Sequence, residues 1–369
     1  MRVLFASDAA GFGGAEILAA QLAAALRGQG IDATFVAAQP DPRLRAHLGA
    51  VPLHEAPLRH KGSYRLRSLG AALDRSRVDA VARALERHRP DVVVINQPDP
   101  EDGLVLAAAG ARCASTVGLL HLPQPLATLG VERLRTLRRL VARRSLRGLD
   151  RVVAVSAASA AEARAAWGVE ATACPNGIPL PAPLREGERT EARRALGLGA
   201  DERVIGALGR LDRQKGFADL LEAAAHLPPE VRVVIGGEGP SRAELEALRA
   251  ARRLEGRVLL PGWMESRSLL AAADLLAMPS RFEGLPLALL EAGALGLDVV
   301  ATPVGGIAEV LEASALVPVG DPAALARALA AALEGDGMRA RRLEARVRSD
   351  HSIEAMAARF IALLRRSEN

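Results

Sequence analysis

The feature that most constrains the fold is an alternation of short apolar runs with longer amphipathic segments, which occurs twice along the 369-residue chain. The runs are apolar on both faces, as in parallel strands covered on both sides. The segments between them, such as 15–28 and 74–88, have helical periodicity. The predicted strands are 2–7, 32–38, 91–96, 114–121 and 151–156 in the first series, and 203–209, 231–237, 257–262, 275–280, 298–303 and 315–319 in the second. The chain is therefore predicted to be α/β, with two doubly wound parallel sheets.

A proline-rich stretch, "CPNGIPLPAPLREGE" at 174–188, separates the two series and is expected to be stiff and extended. We predict an N-terminal domain at 1–183 and a C-terminal domain at 184–350. We also predict a final helical segment at 351–369 that leaves the second domain and packs back on the first. Two such domains are expected to face each other across a cleft.

Composition narrows the class of protein. Half the residues are apolar, which supports a sizeable core, and no run reaches the ~18 apolar residues of a spanning helix. The opening apolar run is too short for a signal peptide. Cys113 and Cys174 are far apart and have no metal or redox spacing. A cytoplasmic protein is expected.

The net charge is +5, and lysine occurs only at Lys61 and Lys215 among the 48 basic residues. A coding bias towards arginine is the simpler explanation of this excess, and attraction to an anionic surface or substrate is the alternative. In such a chain, a lysine within a glycine-rich motif indicates a local reason for its presence. Lys215 is that case.

Ligands of doubly wound sheets bind at the carboxyl ends of the strands, so the loops that follow each strand are the candidate binding regions. The first is "GFGGAE", Gly11 to Glu16, which opens a helix. Gly13 and Gly14 would let a ligand approach the backbone, and a helix N-terminus favours an anion. The spacing is not that of a dinucleotide fingerprint, and a simple tight turn is the alternative.

The loop "GRLDRQKGF", Gly209 to Phe217, carries two cations at a strand end. The guanidinium of Arg210 suits bidentate contact with phosphate, and the ammonium of Lys215 adds a mobile point charge. The pair favours a diphosphate ligand. A solvated charged turn is the alternative.

Two further loops are rich in glycine. In "GGEGPSRAELE", 236–246, Gly237 would allow close approach of a base or phosphate, and Ser241 is expected to cap the next helix, with Glu244 three residues on. A structural turn explains this loop equally well. In "TPVGGIAEVL", 302–311, two glycines form another close-approach turn before Glu309.

The segment "SRFEGLPLALLEAG", 280–293, holds two carboxylates eight residues apart. Glu283 is expected in the loop and Glu291 inside the following helix, pointing back towards its start. Gly284 and Leu285 form the turn between them, and the next proline is expected at the first helical position. This spacing suits recognition of hydroxyl groups at two separate places. A salt-bridged surface glutamate with a buried, satisfied one is the alternative.

His121 ends a first-series strand in "GLLHLPQP", where two nearby prolines stiffen the backbone. A reaction-centre role and a structural role are both compatible with this position. No H-x-x-x-H pairing or similar spacing occurs, so no protein-bound metal is expected.

Together these motifs resemble the retaining GT-B glycosyltransferases of family 4, the glycosyl transferases group 1. The resemblance covers nearly the whole chain through "GGAE", a histidine after a mid-domain strand, "NGI" (176–178), "GRLDRQKG", "GGEGP", the E-x7-E pair and "TPVGG". It implies two Rossmann-like domains and transfer of a sugar from a nucleotide-diphosphate sugar to a glycan or lipid-linked acceptor. Cell-surface polysaccharide or glycolipid synthesis is the implied setting, with no cofactor beyond the donor substrate.

The resemblance also implies roles for individual residues. Arg210 and Lys215 would hold the diphosphate, Glu291 the ribose hydroxyls and Glu283 those of the transferred sugar, and Gly305 and Gly306 would pack on the nucleotide side. The implied catalytic residues are His121, Arg210, Lys215 and Glu283. The implied donor-binding residues are Gly14, Arg210, Lys215, Gly237, Glu283, Gly284, Leu285 and Glu291, and the acceptor-side residues are Gly13, Gly14 and His121.

The acceptor is expected on the first domain, where 131–148 carries seven arginines and an apolar stripe of Leu134, Leu137, Leu140 and Val141. The segment 58–70 is also basic. Peripheral docking on anionic lipid at the inner face of the cell membrane is one hypothesis. An ordinary helix packed on the sheet, with arginines outside, is the other.

Two other functions stay open at this stage: an epimerase acting on a nucleotide-sugar, and a non-catalytic protein that binds one. Nucleic acid is not an expected partner, because the charge is diffuse and aromatic residues are few.

Overall fold

The structure, a computed structural model, describes residues 1–9, 12–38, 40–56, 58, 74–131 and 133–365. Gly11, Lys61 and nearly all of the basic segment 58–70 lie outside these residues. The chain forms two compact units, one of Met1–Pro179 with Ile353–Asn369 and the other of Leu180–Ser352. The chain passes from the first unit to the second within the proline-rich stretch.

The first unit is built on a seven-stranded parallel sheet of order β3-β2-β1-β4-β5-β6-β7. Its strands are β1 (Arg2–Ser7), β2 (Asp32–Ala37), β3 (Leu53–Glu55), β4 (Val92–Gln97), β5 (Ser115–Leu120), β6 (Arg151–Ala154) and β7 (Thr172–Ala173). The five predicted strands form the centre of this sheet. The two outermost strands, β3 and β7, were not predicted, because they are short and half-exposed and so lack the apolar signature of a buried strand.

Helices cover this sheet and bury their apolar sides on it. They are α1 (Gly14–Gly28), α2 (Leu44–Leu48), α3 (Arg75–Glu86), α4 (Leu104–Gly110), α5 (Arg135–Arg147) and α6 (Ala157–Glu162), which continues into a π-helical turn at Ala163–Trp167. Trp167 is among the largest fully buried side chains and donates its indole N–H to the Pro123 carbonyl at 2.8 Å. An aromatic pair, Phe5 and Phe35, faces across β1 and β2.

The second unit has a five-stranded parallel sheet of order β10-β9-β8-β11-β12. Its strands are β8 (Arg203–Leu208), β9 (Val231–Gly236), β10 (Val258–Gly262), β11 (Leu275–Met278) and β12 (Asp298–Ala301). The strand predicted at 315–319 is wrong. This segment makes one isolated bridge, with Val317 donating to the Ala301 carbonyl, and Pro318 has no N–H with which to continue a ladder.

The helices of the second unit are α7 (Glu188–Ala195), α8 (Phe217–Ala224), α9 (Arg242–Ala251), α10 (Ser266–Ala272), α11 (Leu287–Ala294), α12 (Ile307–Val310), α13 (Pro322–Leu333) and α14 (Met338–Asp350). The last helix, α15 (Ile353–Arg365), belongs to the first unit. Ile353 donates its backbone N–H to the Ile178 carbonyl at 2.8 Å, and Gln29 reaches the Glu354 carbonyl at 3.3 Å.

In each unit all strands run in the same direction, so the loops that follow them meet at one edge of the sheet. In the second unit the predicted site residues follow neighbouring strands at that edge, whereas in the first unit they follow β1 and β5, which β4 separates. Within the part of the chain that the structure describes, none of the helices combines the length and the apolar character needed to cross a bilayer.

Candidate functional site

The loop between β8 and α8 is a short 3-10 turn, Arg213–Lys215, followed by Gly216. Gly216 has φ +64°, and a Cβ there would lie 2.0 Å from the Pro279 carbonyl oxygen. The backbone N–H of Arg281 donates to the Gln214 carbonyl at 2.7 Å. Only glycine fits this approach, so the turn that carries the lysine is held against the end of β11.

Lys215 and Glu283 lie in direct contact, although they were predicted to bind different parts of a ligand. The Lys215 Nζ donates to Glu283 Oε1 at 2.6 Å, and the Ser280 hydroxyl donates to the same oxygen at 2.8 Å. Gln214 Nε2 lies 3.5 Å from the other carboxylate oxygen, Oε2. The side chains of Lys215 and Glu283 are 19% and 5% exposed, so this is a nearly buried ion pair.

The two predicted cations retain donors for a further partner. An ammonium has three N–H donors, and the described contacts of Lys215 use one, on Glu283. Arg210 is 70% exposed and pairs through Nε with Asp212 Oδ2 at 2.6 Å, which leaves the terminal fork of its guanidinium without a recorded contact among the described residues. An anion at this loop could accept hydrogen bonds from both side chains.

Glu291 lies inside α11 and is half-buried, and desolvation raises the pKa of its carboxyl group, while a hydrogen bond from the Ser266 hydroxyl to Oε2 opposes that shift. Both glutamates of the E-x7-E pair thus have protein partners, and Glu283 is buried while Glu291 is half-buried. The proline expected at the first helical position, Pro286, is instead the N-cap, because its ψ of 133° is extended and the helix begins at the next residue.

The loop after β12 supports the one that carries Glu283. A Cβ at Gly305, whose φ is +54°, would lie 2.1 Å from the Glu283 carbonyl oxygen and 2.5 Å from that of Gly284. The Gly306 N–H donates to the Gly284 carbonyl at 2.6 Å, and the Leu285 side chain is buried. The close approach predicted from these glycines is made by the neighbouring loop's own backbone.

A similar contact occurs at the loop after β9. A Cβ at Gly237 would lie 1.9 Å from the carbonyl oxygen of Gly209, so the loops after β8 and β9 touch through their backbones. Ser241 is the N-cap of α9 as predicted, but its side chain makes no capping hydrogen bond, so the capping interaction expected with Glu244 is absent from this helix.

In the first unit, His121 follows β5 and is buried, and it contacts Asn96 of β4. The distance between His121 Nε2 and Asn96 Oδ1 is 2.8 Å, and Asn96 Nδ2 lies 3.3 Å from Glu16 Oε1. Glu16 Oε2 accepts the Gly13 N–H at 3.0 Å. None of the described residues places an atom within 4 Å of the position that a Cβ at Gly14 would take, so they leave the backbone there open. Burial lowers the pKa of His121 to about 3 and raises that of Glu16 to about 7.

Sequence reasoning missed four side chains that hold the predicted ones in place: Asn96, Gln214, Ser266 and Ser280. Ser280 and Asn96 stand at or near strand ends, and Gln214 lies within the motif that contains Lys215, so a search of all polar residues at those positions could have found them. Ser266 carries no such signal, because it begins a helix remote from Glu291 in sequence.

Three leucines at the start of the basic helix α5, one of them its N-cap, lie in solvent, whereas Leu146 near its end is buried. Leu134, Leu137 and Leu140 are 54%, 46% and 60% exposed, whereas Val141 packs partly against the core. The buried side of α5 instead carries Arg138, whose guanidinium makes a bidentate pair with the buried Glu101 at 2.6 and 2.8 Å.

Among the residues that the structure describes, no group of three or more His, Cys, Asp or Glu side chains is arranged to hold a metal ion.

Two Rossmann-like units with a cation–carboxylate cluster at one sheet edge define an α/β protein with a candidate site for an anionic ligand. The sequence model of the family described as Glycosyltransferase Family 4 matches residues 12–180, and that of Glycosyl transferases group 1 matches residues 188–349. The chain belongs to glycosyltransferase family 4, the group 1 glycosyl transferases, and has the GT-B fold.

Individual relatives agree with this assignment. The D-inositol 3-phosphate glycosyltransferase of Xylanimonas cellulosilytica is 40% identical over 171 residues, 44% of this chain and 41% of that protein. The alpha-D-kanosaminyltransferase of Streptomyces kanamyceticus is 35% identical over 133 residues, 34% of each chain. The chain therefore covers less than half the length of these curated relatives. The crystal structure of Anabaena Alr3699/HepE with UDP and glucose shares the fold, with a TM-score of 0.83, 23% identity and 99% coverage of both chains.

Proposed function

We propose that the protein transfers a sugar, with retention of anomeric configuration, from a nucleotide-diphosphate sugar to a glycan or lipid-linked acceptor in cell-surface polysaccharide or glycolipid synthesis. The observation that carries this proposal is the Lys215–Glu283 pair beside Arg210, at the carboxyl ends of β8 and β11. One cluster there offers cations for a diphosphate and a carboxylate for sugar hydroxyls. Family membership and the relatives' glycosyltransferase names support the same activity.

In the proposed reaction an acceptor oxygen bonds to the anomeric carbon of the donor as the bond from that carbon to the diphosphate breaks. The bonding electrons leave with the diphosphate, the acceptor oxygen enters on the face that the diphosphate leaves, and the acceptor proton passes to a departing phosphate oxygen. Lys215 and Arg210 stabilise the charge that develops on the departing phosphate oxygens, and they do so best in a site poor in water. These side-chain cations would provide the charge stabilisation that a protein-bound metal could otherwise supply, and we propose that the reaction requires no metal ion.

The two glutamates would recognise hydroxyl groups. Glu283 Oε1 is occupied by Lys215 and Ser280, whereas Oε2 has one long contact, 3.5 Å to Gln214, and so keeps a lone pair for the transferred sugar. Glu291, whose Oε2 accepts the Ser266 hydroxyl, would present its remaining oxygen to the ribose. Hydrogen bonds from ligand hydroxyls to these carboxylates would discriminate strongly between ligands, because an analogue that lacks one hydroxyl leaves a carboxylate oxygen unpaired in the site.

A thermal-shift screen against UDP, GDP and ADP tests donor binding. We expect one nucleoside diphosphate to raise the melting temperature, because a ligand that binds only the folded state stabilises it by about 2.7 kcal/mol at 100 times its Kd. UDP is the first candidate, since it occupies the Anabaena structure of the same fold. If none of the three raises the melting temperature at millimolar concentration, the proposed donor class is wrong.

Turnover separates the transferase from its rivals. In buffer with EDTA, the transferase should release free nucleoside diphosphate only when an acceptor is present. An epimerase would convert the nucleotide-sugar without releasing the nucleotide, and a non-catalytic binding protein would leave it unchanged. A requirement for added divalent metal would contradict the metal-independent form of the proposal.

The exposed leucines of α5 favour one further part of the proposal, a cytoplasmic protein that docks peripherally on anionic lipid. Leu134, Leu137 and Leu140 form an apolar ridge, and exposed arginines of the same helix flank it. Apolar side chains that enter the interface beside cations that meet lipid phosphates are the features of an interfacial helix.

Liposome flotation tests this docking. We expect the protein to float with anionic vesicles at low salt, and the triple variant Leu134→Ser/Leu137→Ser/Leu140→Ser to lose most of that binding. The control, Val319→Ser/Met338→Ser, removes exposed apolar side chains from the second unit and should float like the unaltered protein. Absence of co-flotation by the unaltered protein would remove the docking proposal.

A further inference from the structure

We propose that Glu16 and Asn96 are positioning residues that fix His121 as the neutral imidazole with its proton on Nε2, so that Nδ1 presents a lone pair to a hydroxyl group of the bound ligand. The inference deepens the proposed function and rests on it for the ligand's identity. The hydrogen-bond chain that carries it lies wholly within the first unit, and its main test requires no ligand.

The hydrogen-bond chain from Glu16 through Asn96 to His121 links three adjacent parts of the sheet. Because β4 lies between β1 and β5, Asn96 of β4 stands next to both the helix that follows β1 and the residue that follows β5. Asn96 is fully buried, and its side chain spans from Glu16 Oε1, at 3.3 Å, to His121 Nε2, at 2.8 Å. At the far end, Glu16 Oε2 accepts the Gly13 N–H at 3.0 Å.

The orientation of the Asn96 amide follows from its partner. An ionised carboxylate only accepts hydrogen bonds, so the group that faces Glu16 must be the amide NH₂. The amide oxygen then faces His121, and an oxygen there requires a donor on Nε2. The ionised Glu16 carboxylate therefore determines, through Asn96, which nitrogen of the His121 imidazole carries the proton.

The second ring nitrogen of His121 is left to accept. A neutral imidazole with its proton on Nε2 has a lone pair on Nδ1, and the described residues provide no hydrogen bond to that atom. Burial, which lowers the pKa of this histidine to about 3, keeps the ring neutral through the physiological range. A hydroxyl group of a ligand at the end of β5 would donate to Nδ1, whereas an anionic oxygen would be repelled by its lone pair.

Because Glu16 is buried, the direction of the hydrogen bonds between Glu16, Asn96 and His121 depends on whether the Glu16 carboxyl is ionised. Burial raises the pKa of this carboxyl to about 7, although the Gly13 N–H and the Asn96 amide partly oppose the shift. A protonated Glu16 could donate its O–H to an inverted Asn96 amide, and the NH₂ would then face a deprotonated Nε2. The ionised form is the one that holds the proposed tautomer.

Nitrogen NMR of the ligand-free full chain, labelled with ¹⁵N-histidine, reads the tautomer directly. The His121 signals are those that disappear in His121→Gln. We expect Nε2 to give the signal of a protonated nitrogen and Nδ1 that of an unprotonated one at pH 8, with no imidazolium down to pH 5. The opposite assignment, or a ring that becomes charged in that range, would overturn the proposal.

Two variants and a control test whether Asn96 and Glu16 cause this state. Asn96→Leu removes the acceptor, so His121 should show a mixture of tautomers and kcat/KM for the donor should fall about tenfold, as expected for one lost hydrogen bond. In Glu16→Gln/Asn96→Asp the donor and the acceptor change places and all three hydrogen bonds can re-form. This double variant should restore the single tautomer and bring kcat/KM to within about threefold of the unaltered protein.

As a control, Thr116→Val alters a buried polar side chain of β5 that is not part of the Glu16–Asn96–His121 hydrogen-bond chain. It should leave the His121 signals unchanged. A double variant that folds but retains mixed tautomers would contradict the proposed roles. Since the NMR result needs no donor, it can fail while UDP binding stands, and nucleotide binding can fail while the tautomer is as proposed.

Discussion

Lys215→Ala is expected to lower kcat/KM for the nucleotide-sugar by about 100- to 1,000-fold, the loss typical when one donor aimed at developing charge is removed. The variant also leaves Glu283, only 5% exposed, without its cation, and removing one partner of a buried pair costs about 3 kcal/mol of folding stability. The assay therefore combines steady-state kinetics with the melting temperature. Donor affinity and turnover that both stay unchanged would show that the diphosphate assignment is wrong.

Two further variants separate the functional loss from the structural one. Lys215→Ala/Glu283→Gln removes both charges, so it should recover most of the lost stability but none of the activity. Arg213→Ala removes an exposed cation from the same turn and should change kcat/KM by less than about threefold, since surface substitutions usually act within 0.5 kcal/mol. An equal loss of activity in both single variants would indicate a diffuse electrostatic effect in place of a specific contact at Lys215.

Gly305→Ala is expected to abolish the UDP-induced thermal shift and to destabilise the fold by about 3 kcal/mol. The new Cβ would lie 2.1 Å from the Glu283 carbonyl and 2.5 Å from that of Gly284, so the loop that carries Glu283 must move. Strain from a non-glycine residue at φ +54° adds to the cost. Differential scanning fluorimetry with and without the nucleotide measures both effects.

Gly320→Ala is the matched control for this substitution. Gly320 also has a positive φ, +73°, but the nearest atom to an added Cβ is Arg281 Nη1 at 3.9 Å. It should cost about 1 kcal/mol and leave nucleotide binding intact. If Gly305→Ala bound UDP like this control, the loop after β12 would have no part in shaping the site.

The relation of sequence to structure differs between the sheet centres and their edges. Central strands such as β4 and β8 are buried on both faces, and their uninterrupted apolar runs predicted them. The edge strands β3 and β7 have no such run, and the apolar run at 315–319 lacks the N–H at Pro318 that a ladder would need. The local sequence pattern indicates whether a segment is buried, whereas the pairing of a strand depends on which other segments lie next to it in the sheet.

The candidate site shows the same division. Arg210, Lys215, Glu283 and His121 could be selected from the sequence because glycine-rich turns and strand ends carry a local signature. Their partners could not, since the Lys215–Glu283 contact joins residues 68 apart and the His121–Asn96 contact joins residues 25 apart.

By itself, the sequence determined that this chain has two doubly wound α/β sheets and glycine-rich loops with cations and carboxylates at their strand ends. These properties follow from periodicity and residue type, which act over a few residues. Only the tertiary structure decided that Lys215 pairs with Glu283, that Asn96 links Glu16 to His121, and that the leucines at the start of α5 face solvent. Each of these depends on which strands are neighbours and which side of a helix is buried, and both are decided by packing between segments distant in the chain.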